Sequence, residues 1–322
     1  MRLLSLKYKI TVQMKYKVLV IFSLAILGLS LNAEPKVYGK LWVTIESQDN
    51  QLGNEIDLVS NASRLGIKGF VDLKDNLEVI YQVEYEIDLA DGKADELKDK
   101  TLKQRNSFIG LKGTYGTLFL GTHDTTFKRS HSKIDVFNDL AGDIENILHG
   151  ENRMSDFIGY TTPELNGRLS ATFNAIRGTD ELKNNNLGDS TSFSLNYKTK
   201  LFYAALSVDS EVKGYDSNRM SIYVPFNKTK LGFIYQDTKK LSTGVEEQGH
   251  VVSLSRKVSD RGTLKIQIVK SHMKLNSGKQ TSFGYDYKLS QEVKIFFLYT
   301  DQTGKEIATE KEITALGFEY NF

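Results

Sequence analysis

The sequence predicts an all-β protein: a transmembrane antiparallel up-and-down β-barrel of 16 strands with its third loop folded inward. Three observations carry that expectation: a basic and then apolar leader, a period of two along the rest of the chain, and connections that alternate between short and long.

The leader comes first. Residues 1–17 contain Arg2, Lys7, Lys9, Lys15 and Lys17 and no acid; the apolar run 18–31 follows, and Leu31-Asn32-Ala33 supplies a small residue at the cleavage position. This is the three-part pattern of a secretory signal peptide, and the run is shorter than the roughly 20 residues a membrane-spanning helix needs. The organisation expected is a signal peptide at 1–33 and a barrel at 34–322. Met14 begins a normal-sized signal by itself, so residues 1–13 read as a start-site artefact. The whole chain carries 42 Lys and Arg against 40 Asp and Glu. Removing the leader leaves 37 bases against 40 acids, a net of −3, and with the basic excess goes the case for a nucleic-acid partner. Absence of Cys excludes disulfide frameworks, thiolate metal sites and cysteine nucleophiles.

Period-two strands follow. In 77–89 one face reads Leu77, Val79, Tyr81, Val83, Tyr85, Ile87, Leu89 and the other Glu78, Ile80, Gln82, Glu84, Glu86, Asp88. The faces of 168–176 are Leu169, Ala171, Phe173, Ala175 and Arg168, Ser170, Thr172, Asn174, and the chain ends on Leu316, Phe318, Tyr320, Phe322 against Ala315, Gly317, Glu319, Asn321. Such strands separate an apolar medium from water.

Short turns are expected near 72–76, 113–116, 162–167, 198–200, 227–230, 258–262 and 288–292. Longer polar loops are expected near 47–60, 90–103, 124–151, 177–190, 210–218, 237–249, 271–280 and 301–311. These fifteen connections join sixteen strands and put both chain ends on the short-turn side. Lipid offers no hydrogen-bond partners, so a sheet crosses a membrane only when closed, and sixteen strands enclose a lumen too wide for side chains to fill. A soluble sandwich also alternates, but with shorter strands and no strict rhythm of loop lengths.

Catalytic patterns are largely missing. His123, His131, His149, His250 and His272 are dispersed, and none has metal-ligand spacing. The glycines of 116–121 precede Thr122-His123 where a phosphate loop requires Lys and Ser or Thr, so this stretch reads as a strand. No nucleophile elbow occurs. No catalytic residue, metal or cofactor is expected.

The loop 124–151 does carry a signal. Lys128, Arg129 and Lys133 come first, then Asp135, Asp139, Asp143 and Glu145 interleaved with Ile134, Val136, Phe137 and Leu140. A loop of this length with this many apolar groups should pack on something, and the barrel interior is available; an exposed acidic loop is the bland alternative. On the walls, a cation facing mid-bilayer lipid costs roughly 2–4 kcal/mol, so Arg64 and Lys68 belong on the inner face, and parity places Lys40, Arg168, Arg219 and Lys265 with them. Arg105 and Arg153 share parity with the apolar Ile109 and Phe157, so each needs a bulge or a strand-end position to turn inward.

These features resemble the Gram-negative general porins of the neisserial type. The matching stretches are Val37-Tyr-Gly-Lys-Leu41, Ser63-Arg-Leu-Gly-Ile-Lys-Gly69, Arg105-Asn-Ser-Phe-Ile-Gly-Leu-Lys-Gly113, Tyr115-Gly-Thr-Leu-Phe-Leu-Gly121, Arg153, Tyr160-Thr-Thr-Pro163, Asn166-Gly167 and the terminal Phe322. The resemblance spans the mature chain and is strongest in its first half. It implies a homotrimer, a third loop acting as a constriction, and a basic wall at Arg64, Arg105 and Arg153, joined on parity by Lys68 and Arg168. The acids Asp135, Asp139, Asp143 and Glu145 would oppose that wall. It also implies that the ending Phe318, Tyr320, Phe322 is read by the barrel assembly machinery. One departure matters: Thr122 stands where the family often has Arg, which removes one positive charge. The expected function is passive diffusion of small hydrophilic solutes and ions across the outer membrane of a Gram-negative bacterium, with a weak anion preference, amid outer-membrane lipid and lipopolysaccharide. The rival expectations are a substrate-specific channel for phosphate or oligosaccharide, a barrel enzyme, and a surface adhesin. The charged loop 90–103 reads as an intersubunit latch or a solvated loop.

Overall fold

The computed structural model describes residues 35–50, 53–90, 102–179, 185–274, 278–304 and 310–322. The signal-peptide and start-site expectations, and most of the 90–103 loop, lie outside those residues. Strand β1 is Lys36–Asn50. Strand β2 runs in two pieces, Gly53–Ser60 and Arg64–Asp72. Strand β3 is Glu78–Ile87, and β4 again has two pieces, Leu102–Gln104 and Ser107–Gly113. Strands β5, Gly116–Asp124, and β6, Arg153–Thr161, flank the long third loop. Then come β7 Leu169–Arg177, β8 Leu187–Lys198, β9 Tyr203–Val212, β10 Tyr215–Phe226 and β11 Thr229–Lys240. The series closes with β12 Glu246–Lys257, β13 Gly262–Ser271, β14 Gly278–Lys288, β15 Val293–Thr303 and β16 Lys311–Asn321.

Each strand pairs antiparallel with its neighbour, and β16 returns to β1 from Lys40↔Asn321 through Asn50↔Lys311. The sixteen-stranded sheet is therefore closed, as the parity and rhythm of the sequence predict. Closure extends to the last residue: Gly39 and Phe322 exchange backbone hydrogen bonds of 3.0 and 3.1 Å. The Phe322 ring lies where a side chain on Gly39 would stand, so this position needs glycine.

Two of the expected long loops are corrected. At 47–60 the ladder runs out to the pair Asn50↔Gly53, and at 210–218 it continues to a tight turn at Lys213-Gly214, with Gly214 at φ +81°. Polarity misled the reading there, because strand ends that extend beyond the apolar band are polar on both faces.

The two breaks in β2 and β4 are built features. At the first, Ala62 takes φ +49° and Ser63 replaces the missing backbone partner, accepting from the Trp42 amide at 2.8 Å and donating to its carbonyl at 3.0 Å. At the second, Tyr85 pairs Gln104 while Gln82 pairs Phe108, so one extra residue faces Glu84. The bulge flips parity: Arg105 turns inward while Ile109 stays outward. Arg153 gains its freedom similarly, from a register shift between Gly121 and His123 opposite Asp156 at φ +50°.

Outward faces are apolar and uncovered; inward faces are mostly polar or covered by the loop. On β13, Ile266 and Ile268 are each 40% exposed while Gln267 and Val269 are fully buried. Replacing Ile266 with Arg should lower stability in a lipid bilayer by about 2–4 kcal/mol. Urea-driven unfolding from vesicles, read by the resistance of the folded barrel to SDS, measures this cost.

Candidate functional site

The third loop leaves the wall at Asp124 and returns at Arg153, and every turn of its path is fixed by side chains of the inner wall. Thr125 caps the short helix α1, Thr126–Arg129, by accepting from the Lys128 amide at 3.1 Å. The free amides of that first turn need partners, and the wall provides them: Thr126 N donates to Asn174 Oδ1 at 2.7 Å and Phe127 N to Ser192 Oγ at 3.0 Å. Ser130 meets Ser207 hydroxyl to hydroxyl at 2.8 Å. The Ser and Asn positions that alternate along β7, β8 and β9 are thus a docking strip for the loop.

Further on, the loop packs by shape. Ile134, Ile144, Ile147 and Leu148 are fully buried against Tyr223, Ile234, Val251, Val269 and Met273. Phe137 and Leu140 pack on Trp42, Phe296, Leu298 and Ala315. The wall is hollowed to receive them, with Ile134 over Gly232, Leu148 over Gly249 and Phe137 over Gly284, so that no wall side chain occupies the space. Fully burying a side chain of this size contributes about 1.5–3 kcal/mol, which far exceeds what an exposed loop of this length retains. Three buried glutamines complete the fastening. Gln267 donates to Asp135 Oδ1 and to the Gly142 carbonyl, both at 3.0 Å, and accepts from the Val136 amide at 3.0 Å. Gln280 donates to the carbonyls of Gly142 and Asp143, and Gln236 to that of His149.

A buried ion pair ties the loop's returning end to β10. Arg219 Nη2 lies 2.7 Å from Glu151 Oε1, donates to Gln236, and has its guanidinium carbon 4.3 Å from the Phe127 ring centre. His131 Nε2 stands 3.6 Å from the other Glu151 oxygen. Burial pushes Glu151 up, but the Arg219 charge outweighs it and holds this carboxyl below its usual value. Burial holds His131 below the usual imidazole value, with Glu151 only partly offsetting it, so the ring is neutral.

The sequence-derived acids divide. Asp139 reaches the wall: its carboxylate is 3.2 Å from Arg64 and 3.9 Å from Arg105. Asp135 and Asp143 turn into the loop instead. Asp135 accepts from the Phe137 and Ile144 amides and from Gln267. Asp143 caps the 3₁₀ turn Ile144–Asn146 through the Glu145 amide at 2.6 Å and also binds the Asp139 amide at 2.6 Å. Burial raises both above the usual carboxylate value, with the charge of Asp143 adding to the effect on Asp135. Glu145 lies exposed, and its carbonyl accepts from Lys274.

The basic residues also divide. Arg105 sits between Glu84 at 3.0 Å and Glu86 at 2.6 Å as well as near Asp139. Arg153 pairs with Asp124 at 3.0 Å and donates to Asn106. Lys68 lies 4.7 Å from the centre of the Tyr38 ring, and Arg168 belongs to a separate cleft beneath α1. Lys40 and Lys265 face inward and join a ribbon of alternating charge, Lys40, Glu319, Lys294, Asp286, Lys265, whose successive separations are 3.5, 2.8, 3.3 and 3.0 Å. Sequence reasoning missed the wall acids Glu84, Glu86 and Asp124, although the first two stand on the polar face it had identified. Phe318, Tyr320 and Phe322 lie on the lipid side of β16, with the last two rings 5.6 Å apart.

Comparison with known proteins agrees with this architecture. A family model described as Gram-negative porin matches residues 21–306. Among curated relatives, the major outer membrane protein P.IB of Neisseria meningitidis serogroup B is 28% identical over 202 residues, covering 58% of this chain and 56% of that protein. P.IA of the same species is 33% identical over 108 residues, 33% of this chain and 26% of that protein. The chain thus spans between a quarter and just over half the length of these relatives. Among solved structures, an anion-selective porin from Comamonas acidovorans superposes with a TM-score of 0.71 at 17% identity, covering 90% of this chain and all of that one. Salmonella typhi OmpF gives 0.73 at 17% identity, covering 89% and 97%.

Two outcomes follow from the loop's anchorage. Replacing Glu151 with Leu strands Arg219 as an unpaired buried charge and should cost about 3–5 kcal/mol, seen as earlier unfolding and as protease cleavage within 125–152. A His held below its ordinary value favours the fold while neutral, so that contribution is complete above pH about 6.5 and falls as pH drops through that value towards the folded one. Protection factors of loop amides, corrected for the intrinsic exchange rate, should therefore fall between pH 7 and 5, and His131→Gln should flatten that part of the slope.

Proposed function

The chain belongs to the Gram-negative porin family, and from that premise we propose that it is a general diffusion porin of the outer membrane. It admits small hydrophilic solutes and ions passively, without an energy source or a catalytic step. The observation that carries this reading is the apolar third loop seated on the inner wall, which presents Asp139 to Arg64 and Arg105. A folded-in segment sets a size limit, and opposed charges set a transverse field across the remaining passage. Such a field orients polar solutes and disfavours apolar ones, which must displace oriented water.

Of the twelve charged groups named from sequence as candidate constriction residues or inward cations, Arg64, Arg105, Arg153 and Asp139 are the ones we assign to the constriction. Arg219 and Lys265 serve the loop anchor and the charge ribbon. Glu84, Glu86 and Asp124 balance the three arginines almost fully, so the weak anion preference is carried by cations without a carboxylate partner, such as Lys68 and Arg168. The homotrimer, recognition of the Phe318, Tyr320, Phe322 ending by the assembly machinery, and association with lipopolysaccharide belong to the same proposal; a neighbour of the same fold, Vibrio cholerae OmpT, is described as a trimer.

Planar-bilayer recording of the refolded mature chain tests the reading. Ohmic single-channel steps that close in threes are expected, and a chain that forms no conductance overturns it. Replacing Arg64 and Arg153 together with Glu should move the reversal potential in a salt gradient towards cations; an unchanged potential removes these residues from the constriction.

A further inference from the structure

Cations on the inner wall fall into two populations. Lys40, Arg64, Arg105, Arg153, Arg219, Lys265 and Lys294 each have a carboxylate within 4.0 Å. Four others share one cleft of about 390 Å³ between α1 and the short-turn ends of β6 to β10: Arg129 and Lys133 from the loop, Arg168 and Lys198 from the wall. Among the described residues none of these four has a carboxylate within that distance. Glu164 is the one acid in the lining, which leaves a formal charge of +3. This concentration of like charge contrasts with the seven paired cations of the same lumen.

The rest of the lining is chemically specific. Tyr223 and Pro225 give an apolar side, the Tyr203 hydroxyl is held between the Ser130 carbonyl at 3.1 Å and Asn196 Oδ1 at 2.8 Å, either of which can accept its single proton, and threonines complete the lining. A second copy of the chain does not fit a recess within the barrel, and a monoanion would leave most of the charge uncompensated. We propose that this cleft is a binding station for a small organic dianion with a flat apolar body, of the aromatic dicarboxylate class. One carboxylate engages Arg168 and Lys198, the other Arg129 and Lys133, with the ring against Tyr223 and Pro225. Since two of the cations belong to the loop and two to the wall, the bound solute also clamps the base of the loop to β7 and β8. The station lies off the constriction and retains such solutes within the channel, which deepens the diffusion reading and rests on it.

Isophthalate is a suitable probe, with benzoate as the monoanion of similar shape. Two measurements separate the two levels of the reading. Conductance in potassium chloride alone tests the channel; calorimetric titration of the detergent-solubilised protein with isophthalate tests the station without requiring conduction. Saturable one-to-one binding per chain is expected, at least about tenfold tighter than benzoate, given the strength of charge-assisted hydrogen bonds. In bilayers, current interruptions should be stronger for isophthalate added on one side of the membrane than on the other. Arg168→Gln with Lys198→Gln should weaken binding at least about tenfold, whereas the charge-preserving pair Arg168→Lys with Lys198→Arg should keep it within about threefold. Lys40→Gln with Lys294→Gln, which removes two charges from the paired ribbon, should leave the affinity unchanged. The proposal is overturned if isophthalate binds no better than benzoate, or if the ribbon variant weakens it as much as the cleft variant, since lumen-wide attraction would then explain the effect. A folded, conducting channel that ignores isophthalate sinks the station and leaves the porin reading standing.

Discussion

A peptide group in lipid has no hydrogen-bond partner but another peptide group, and this single constraint organises the molecule. It forces β16 back onto β1, with Phe322 contributing backbone bonds to the seam. It also dictates that Ser63 stand in for a lost ladder bond where β2 is interrupted. Even the strand breaks obey it, because each is one residue wide or is closed by a side chain. The result is a wall that satisfies itself and asks nothing of its surroundings except an apolar band.

Closure at sixteen strands creates the second problem, an interior that wall side chains cannot fill. The third loop solves it, and the wall is adapted to the loop rather than only to water. Glycines 232, 249 and 284 make hollows, apolar residues on β10 to β13 and on β15 and β16 line them, and glutamines and serines satisfy the loop's own backbone. A loop held this way is part of the core. The Arg219, Glu151 and His131 cluster adds a polar lock whose removal exposes a full charge to an apolar surrounding, which is why its members are buried together.

Electrostatics inside the barrel follows from proximity more than from composition. Most inner cations are matched at hydrogen-bond distance: Arg105 by two wall glutamates, Arg153 by Asp124, and the lysines of the ribbon by Asp286 and Glu319. Matched charges form a structured field of short range, and the cations without a carboxylate partner cluster near the short-turn end. The loop acids behave likewise. Asp135 and Asp143 look equivalent to Asp139 in sequence, yet two of the three serve as backbone acceptors within the loop.

The sequence by itself determined the strand count, the face of each strand, the closure of the sheet and the destination of the third loop. Those features depend on alternation, on connection length and on apolar residues in a place that otherwise lacks them, and all three are local patterns. Even the bulges at Arg105 and Arg153 were legible, as conflicts between charge and parity. Tertiary structure alone decided which charges meet. Glu84 and Arg105 are 21 residues apart, Arg64 and Asp139 are 75 apart, and Gln267 and Asp135 are 132 apart. Whether a carboxylate faces a guanidinium or an amide depends on how far the loop sinks into the barrel, and shape complementarity between distant segments sets that depth.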